Sequence, residues 1–420
     1  MKSVSFLQIG DIHYPENSDG LLADIKDANL PAITNQAVPN PLQVVFRALS
    51  RSIEDNNHSA IMICGDLTSR GDISQYELCV QYLIKSLDLR SKSKESIHVV
   101  PGNHDVNRSL CTDRNSINTK KFEPLLKAWS SFSSNVLSTS GIRSETIRKN
   151  DCNLQIFSMN SCMGCGEWHL LPRELRNELG DLIEKARSED SSKAFELEGE
   201  QIDTPMFKHD DIDELNQQLH GVPVDCLPVI LAHHNLLPQE FARIELYTEL
   251  INSGPFRSSV ASNGRPIIYC HGHIHAGPIE VISDVTEAGS QLICVSAPEI
   301  KNGYNELVGH FSNDGKPLGL EVITHRVRRA GVISEESRHK IPFCNRGDFL
   351  TDEMDQIIAC VKKEPMKFHK LKKLFDTETG TNVQTETFAG LLQEAAWFGI
   401  VTIENQQPDR KYWQIKRRLV

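Results

Sequence analysis

Residues 99–106 read VVPGNHDV. Two β-branched residues and a proline lead into Gly102, and an amide, an imidazole and a carboxylate (Asn103, His104, Asp105) follow at once. A short apolar run closed by glycine reads as a buried strand leaving its sheet, and in open α/β sheets the carboxyl ends of the strands line the ligand crevice. The same ending recurs along the chain. GDIH follows residues 4–9 and supplies Asp11 and His13; GDLT follows residues 60–64 and supplies Asp66. HHN follows residues 229–232 with His233 and His234, and HGHIH follows residues 267–270 with His271, His273 and His275. Five strand ends thus deliver polar side chains to one edge.

Between these runs, and two further apolar ones at 154–158 and 292–295, lie amphipathic segments. PLQVVFRALSRSIEDNN (41–57) puts Leu42, Val45, Phe46, Leu49 and Ile53 on one stripe, and SQYELCVQYLIKSL (74–87) behaves alike. The rhythm predicts an α/β sandwich with a largely buried sheet. Three stretches interrupt it: 14–41 and 107–150, read as lids over a site, and the acidic 186–215, read as solvated surface. Periodicity fails from about Arg326 to Gly347. The expected division is therefore a first domain over 1–330, a linker over 331–347 and a second domain over 348–420. In the latter, three helical segments (351–365, 368–375, 385–399) and a hairpin (400–417) follow the order of a winged-helix module.

Composition narrows the function classes. The 420 residues carry a formal net charge of −11, 39% hydrophobic and 24% charged residues, which excludes a protein coating nucleic acid through bulk charge but not a local basic groove. No segment reads as a signal peptide or a membrane span. Eleven cysteines are scattered, several inside strand-like runs such as Cys64, Cys270 and Cys294, so reduced thiols in a cytoplasmic protein are expected. CMGC (162–165) reads as half a zinc site or a redox pair, with no second CxxC to complete a four-thiolate site.

Carboxylate oxygen and imidazole nitrogen together suit divalent manganese, iron or zinc. Two aspartates, an asparagine and several histidines exceed what one tetrahedral ion needs, so two ions are implied, with Asp66 as the natural bridge. Glycine before the ligands lets the backbone turn sharply beside them.

As a set, these residues resemble the calcineurin-like metallophosphoesterase family, whose motifs run D-x-H, G-D, G-N-H-[DE], H and G-H-x-H. The resemblance spans roughly residues 1–330 and implies a two-sheet αββα sandwich. It implies one ion on Asp11, His13 and His275, a second on Asn103, His233 and His273, and Asp66 bridging them. Manganese is the first expectation for both, iron or zinc the alternatives. It also places His104 at the scissile phosphate as a catalytic residue, with Asp105 fixing either its imidazole or a neighbouring turn. His233 is preferred to His234 because relatives with His-x-Pro use the first histidine, although Asn235 stands here where proline is common.

For substrate, GDLTSRGDISQY (65–76) resembles the cyclic-nucleotide phosphodiesterase branch, and Ser69-Arg70 stands where protein-phosphatase relatives carry Asp-Arg. The expectation is hydrolysis of a phosphodiester, nucleotide or nucleic acid, by a metal-activated water. Residues 348–420 place basic residues beside aromatics (DRKYWQIKRR), yet the third helix holds Glu386 and Glu394 and neither Lys nor Arg. Contact with nucleic acid and docking to a protein partner or a second copy both remain open for this tail.

Overall fold

β1 (Lys2–Ile9) shows how the layers arise: Val4 and Phe6 face one way, Leu7 and Ile9 the other, and all four are buried, so both faces of the strand are covered. The computed structural model describes residues 1–14, 16, 41–56, 58–71, 73–89, 97–111, 116–132, 139, 141–190, 193–194, 197–198, 202–238, 249–275, 277–283, 290–328, 332–343 and 352–418. After β1 come α1 (Pro41–Asn56), β2 (Ala60–Ile63), α2 (Ile73–Ser86), β3 (Ile97–Val99), α3 (Glu123–Ser130), β4 (Ile142–Lys149), β5 (Cys152–Met159) and β6 (Gly164–Cys165). The chain continues through α4 (Arg173–Glu189), β7 (Asp203–Thr204), α5 (His209–His220), β8 (Cys226–Leu231), α6 (Ser253–Ala261), β9 (Pro266–His271), β10 (Ile279–Ser283) and β11 (Gln291–Ser296). It then forms β12 (Gly303–Phe311), β13 (Pro317–Val327) and β14 (Ile333–Pro342).

Two six-stranded sheets result, ordered β14-β13-β12-β1-β2-β3 and β10-β11-β9-β8-β5-β4. In the first, β1, β2 and β3 are parallel and β12 to β14 antiparallel; in the second, β11, β9, β8 and β5 are parallel between antiparallel edges. Phe6, Met62, Val229, Ile268 and Ile293 pack between the sheets. Leu7 and Ile63 pack outward on Leu42, Phe46 and Leu83, and Ile230 and Tyr269 on Leu215 and Phe256. This is the expected α/β sandwich. Near the site Gln8 pins the sheets together, donating to Val295 O (2.8 Å) and His271 O (3.2 Å) while accepting from Asn305 (3.0 Å).

Five strands of the sandwich escaped the sequence reading: β4, β10 and the β12–β14 meander. The linker expected over 331–347 is corrected too, because β14 lies inside it and pairs with β13 from Gly319↔Pro342 to Val327↔Ile333. ISEESRHKIP lacks an apolar face because it is an edge strand, and charges such as Glu335, Arg338 and Lys340 suit an edge. Of the two expected lids, residues 17–40 lie outside the described residues, and 107–150 contains α3 and β4.

The C-terminal unit consists of α7 (Asp352–Cys360), β15 (Met366–Lys367), α8 (Phe368–Thr379), α9 (Thr385–Trp397), β16 (Val401–Glu404) and β17 (Gln414–Arg417). Its three-stranded sheet has the order β15-β17-β16, and Ile357, Leu371, Phe375, Phe388, Leu392, Trp413 and Ile415 form its own core. It also packs on the sandwich. Trp397 Nε1 donates to Leu318 O at 3.2 Å, the Trp397 ring lies 4.2 Å from that of His310, and Glu394 accepts from Asn313 N at 3.3 Å. Gly319 makes this approach possible, since a Cβ there would stand 2.4 Å from the indole. No helix among the described residues is long and apolar enough to cross a membrane.

Candidate metal centre

The turns that leave β1, β2, β3, β8 and β9 meet at one end of the sandwich. The first two interlock, with Asp11 N donating to Gly65 O (3.1 Å) and both Ile12 N and His13 N to Asp66 O (2.8 and 2.9 Å). Nine described non-glycine residues have positive φ, and five of them are Asp11 (54°), His13 (47°), Asp66 (51°), His273 (71°) and His275 (57°). Left-handed backbone outside glycine costs about 1–3 kcal/mol per residue and gathers where surrounding structure enforces it for function. Gly102 admits the bridging candidate, because a Cβ there would meet Asp66 Oδ1 at 2.0 Å.

Asp66 stands between two groups of candidate ligands. Its Oδ1 accepts from His104 N at 2.9 Å, leaving Oδ2 3.3 Å from His233 Nε2 and 3.8 Å from His13 Nε2. On one side His275 Nε2 is 3.3 Å from His13 Nε2 and 3.4 Å from Asp11 Oδ1. On the other, His233 Nε2 is 3.0 Å from Asn103 Oδ1, and the His273 ring lies 5.2 Å from that of His233. The structure brings together all seven residues expected to hold metal.

Hydrogen bonds separate the two adjacent histidines. His233 Nδ1 faces Cys64 O at 2.7 Å, so Nδ1 carries a proton and Nε2 is the nitrogen turned toward Asp66 and Asn103. His234 Nδ1 faces Ser161 Oγ at 3.0 Å, and that oxygen already accepts from His233 N (3.2 Å) and His234 N (3.1 Å). The hydroxyl proton therefore points at His234 Nδ1, which leaves the proton of the neutral ring on Nε2. His271, counted among the polar residues delivered to this edge, belongs elsewhere. Its ring packs 5.7 Å from Tyr269 on the helix-covered side of β9, and burial lowers it to about 4.

His104 Nδ1 donates to Ser69 O at 2.8 Å, and its ring stands edge-on to His13 at 4.9 Å. Asp105 does not orient that imidazole. Its Oδ2 accepts from Gly102 N and Leu67 N (both 3.0 Å) and its Oδ1 from Thr68 N (2.9 Å) and Thr68 Oγ1 (3.2 Å), tying the Asp66 turn to the Asn103 turn. Of its two expected roles, fixing the neighbouring turn is the one the geometry displays. Its catalytic reading is corrected to a positioning one, because both oxygens are committed to these donors. Tyr76 reinforces the joint by donating to Asp105 O at 2.8 Å.

Sequence reading passed over two supports. Ser161 lies in the polar ending NSC that follows the parallel strand β5. Asp203 has no signal in the sequence at all. It accepts from Asn103 Nδ2 (3.4 Å), turning Asn103 Oδ1 toward the histidines, and is itself held by both terminal nitrogens of Arg108 (2.9 and 2.7 Å).

The electrostatics ask for positive charge here. Burial opposes ionisation of Asp66, but His233 and His104 outweigh it and hold the carboxyl well below its usual range. In return Asp66 overrides burial and lifts His233 to about 10. Burial, then the neighbouring His233, keeps His273 well below the ordinary imidazole value and neutral. Asp11 Oδ2 is buried without a hydrogen-bond partner, and His13 Nε2 and His275 Nε2 face each other at 3.3 Å. Carboxylates, an amide oxygen and imidazole nitrogens fit divalent cations of the manganese, iron and zinc group, which would replace the protons that Asp66 and Asp11 draw onto His233 and His275.

The calcineurin-like phosphoesterase family model matches residues 4–277, more than half of the chain, and the chain belongs to this family. No curated protein matches it in sequence. Solved structures similar in fold include a dimetal phosphatase from Danio rerio (12% identity, 81% of this chain and 99% of that one, TM-score 0.44). Others are GAP50, the anchor in the inner membrane complex of Plasmodium (9%, 82% and 90%, 0.43), and a putative 5'-nucleotidase from Staphylococcus aureus (14%, 89% and 58%, 0.40).

Proposed function

We propose that the chain is a dinuclear metal-dependent phosphodiesterase acting on a nucleotide or nucleic-acid strand. The observation that carries this reading is the convergence of two ligand groups, Asp11–His13–His275 and Asn103–His233–His273, on either side of Asp66 Oδ2. Two divalent cations held there, manganese before iron or zinc, would supply the charge that acidifies a water and neutralises phosphoryl oxygens. The remaining work falls to side chains. Asn103 contributes oxygen without adding negative charge opposite an anionic substrate. His104, with Nδ1 anchored on Ser69 O, uses Nε2 of its imidazolium to protonate the leaving oxygen.

Preference for a diester rests on GDLTSRGDISQY and on Ser69-Arg70 in place of an Asp-Arg pair. Purified protein with manganese, offered bis-p-nitrophenyl phosphate, p-nitrophenyl phosphate, cyclic nucleotides and single- and double-stranded DNA, tests the proposal. Diester turnover abolished by chelation supports it. Faster turnover of the monoester would overturn the diester reading, and no turnover of any ester by metal-loaded protein would overturn the enzyme.

The helix–strand–helix–helix–hairpin order supports a winged-helix-like unit for residues 352–418. Its α9 buries Glu394 and Trp397 against the sandwich and carries neither Lys nor Arg, which favours docking to a protein partner or second copy over reading of a duplex. A nucleic-acid strand would instead meet exposed Lys362 and Lys363, which Arg417 adjoins through its N–H on Lys362 O (2.8 Å). Salt-sensitive DNA binding lost on Lys362→Glu/Lys363→Glu would favour that second reading. The ten described cysteines, all buried and unpaired, support a reducing, cytoplasmic setting.

A further inference from the structure

We propose that Cys162, Cys165 and His234 form a third metal site, for a thiophilic dication such as zinc, behind the dinuclear centre. The CMGC turn after β5 is closed by Cys165 N donating to Cys162 O at 3.1 Å, which brings two thiols to one side of a tight loop. Both sulfurs and a His234 ring nitrogen lie within 4.8 Å of one another, and Cys162 Sγ is 3.9 Å from His234 Nδ1. Ligand atoms around a tetrahedral zinc, with sulfur at ~2.3 Å and nitrogen at ~2.0 Å, stand roughly 3.5–3.8 Å apart, so the cluster needs to contract by at most about 1.3 Å.

Three further observations point to an ion. All three side chains are buried and the thiols are unpaired. His234 Nδ1 carries the lone pair of the neutral ring on this side, where it accepts from the Ser161 hydroxyl and would exchange that proton for the ion. An uncharged oxygen, Ser161 Oγ, stands 3.0 Å from that nitrogen. Binding balances in charge: two thiol protons leave to solvent as one dication enters, and the two thiolates and neutral imidazole make a cluster without net charge, which avoids the cost of a buried unpaired ion.

The ion would brace the catalytic centre. His234 follows His233, and the Cys162 thiol, which donates to Pro101 O at 3.3 Å, gives up that bond to the ion. A metal here ties the CMGC turn to the turn that carries His233, whose Nε2 lies 3.0 Å from Asn103 Oδ1.

The full chain, loaded with cobalt in place of zinc and kept reduced, gives the direct test. Thiolate-to-cobalt charge-transfer absorption in the near ultraviolet, lost in Cys162→Ser/Cys165→Ser, is expected. Elemental analysis of protein loaded with zinc and manganese should fall by one zinc per chain in that variant, with manganese unchanged. Absence of the charge-transfer band in the wild-type protein would overturn the proposal whatever the variant does, and so would a Cys162–Cys165 disulfide in freshly purified protein. The dinuclear centre contains no thiolate, so its own failure to bind metal would leave this band in place.

Discussion

Asp105→Asn separates a positioning carboxylate from a catalytic one. Its two oxygens accept four donors: Gly102 N, Leu67 N, Thr68 N and Thr68 Oγ1. An amide keeps one oxygen and aims a second donor at the other pair. The Thr68 hydroxyl can rotate away, but at least one backbone N–H loses its acceptor, and the surviving bonds lose a charged one. At roughly 1–3 kcal/mol for a stranded buried donor and a similar loss over the weakened bonds, the cost is about 2–6 kcal/mol. That cost falls on the joint between the Asp66 and Asn103 turns, so metal affinity should fall together with stability. Denaturant unfolding, manganese titration and turnover at saturating manganese should show a lower first transition, weaker binding and largely restored kcat. Unchanged stability and metal affinity with abolished kcat would refute the reasoning and return Asp105 to the chemistry.

His104→Ala should retain two ions and lose about 10²–10⁴-fold in turnover, more on a diester with a poor leaving group than on a p-nitrophenyl ester; equal losses on both esters would remove it from leaving-group protonation. Asp66→Asn should lose most bound metal by elemental analysis and nearly all hydrolysis while circular dichroism stays unchanged, because one carboxylate oxygen faces both ligand groups. Trp397→Ala removes a buried indole and its hydrogen bond to Leu318 O, which should weaken docking of the C-terminal unit by about 3–5 kcal/mol. A separate, earlier thermal transition for that unit is expected, and an unchanged melting profile would contradict the packing described. Deleting the unit should likewise uncover Leu318 and lower solubility of the sandwich.

The sandwich was legible where strands are covered on both faces. Residues 60–64, 229–232 and 267–270 are continuous apolar runs because helices lie on one side and the other sheet on the other. β14 was illegible because an edge strand needs no apolar stripe. The candidate ligands were legible because each sits directly after such a run, where Gly102 and Gly272 make room for carboxylates. Asp203 and the carbonyls of Cys64 and Ser69 were not. They act through position in space, and a backbone carbonyl leaves no mark in the residue types. His271 misled for the opposite reason: it shares HGHIH with two ligands, but as the last residue of β9 its side chain goes to the helix-covered face.

The most direct test is a crystal of the protein grown with manganese and measured for anomalous scattering. Two peaks are expected, about 3.5–4 Å apart, one beside Asp11, His13 and His275 and the other beside Asn103, His233 and His273, with Asp66 between them. A single peak, or manganese bound away from Asp66, would contradict the dinuclear centre.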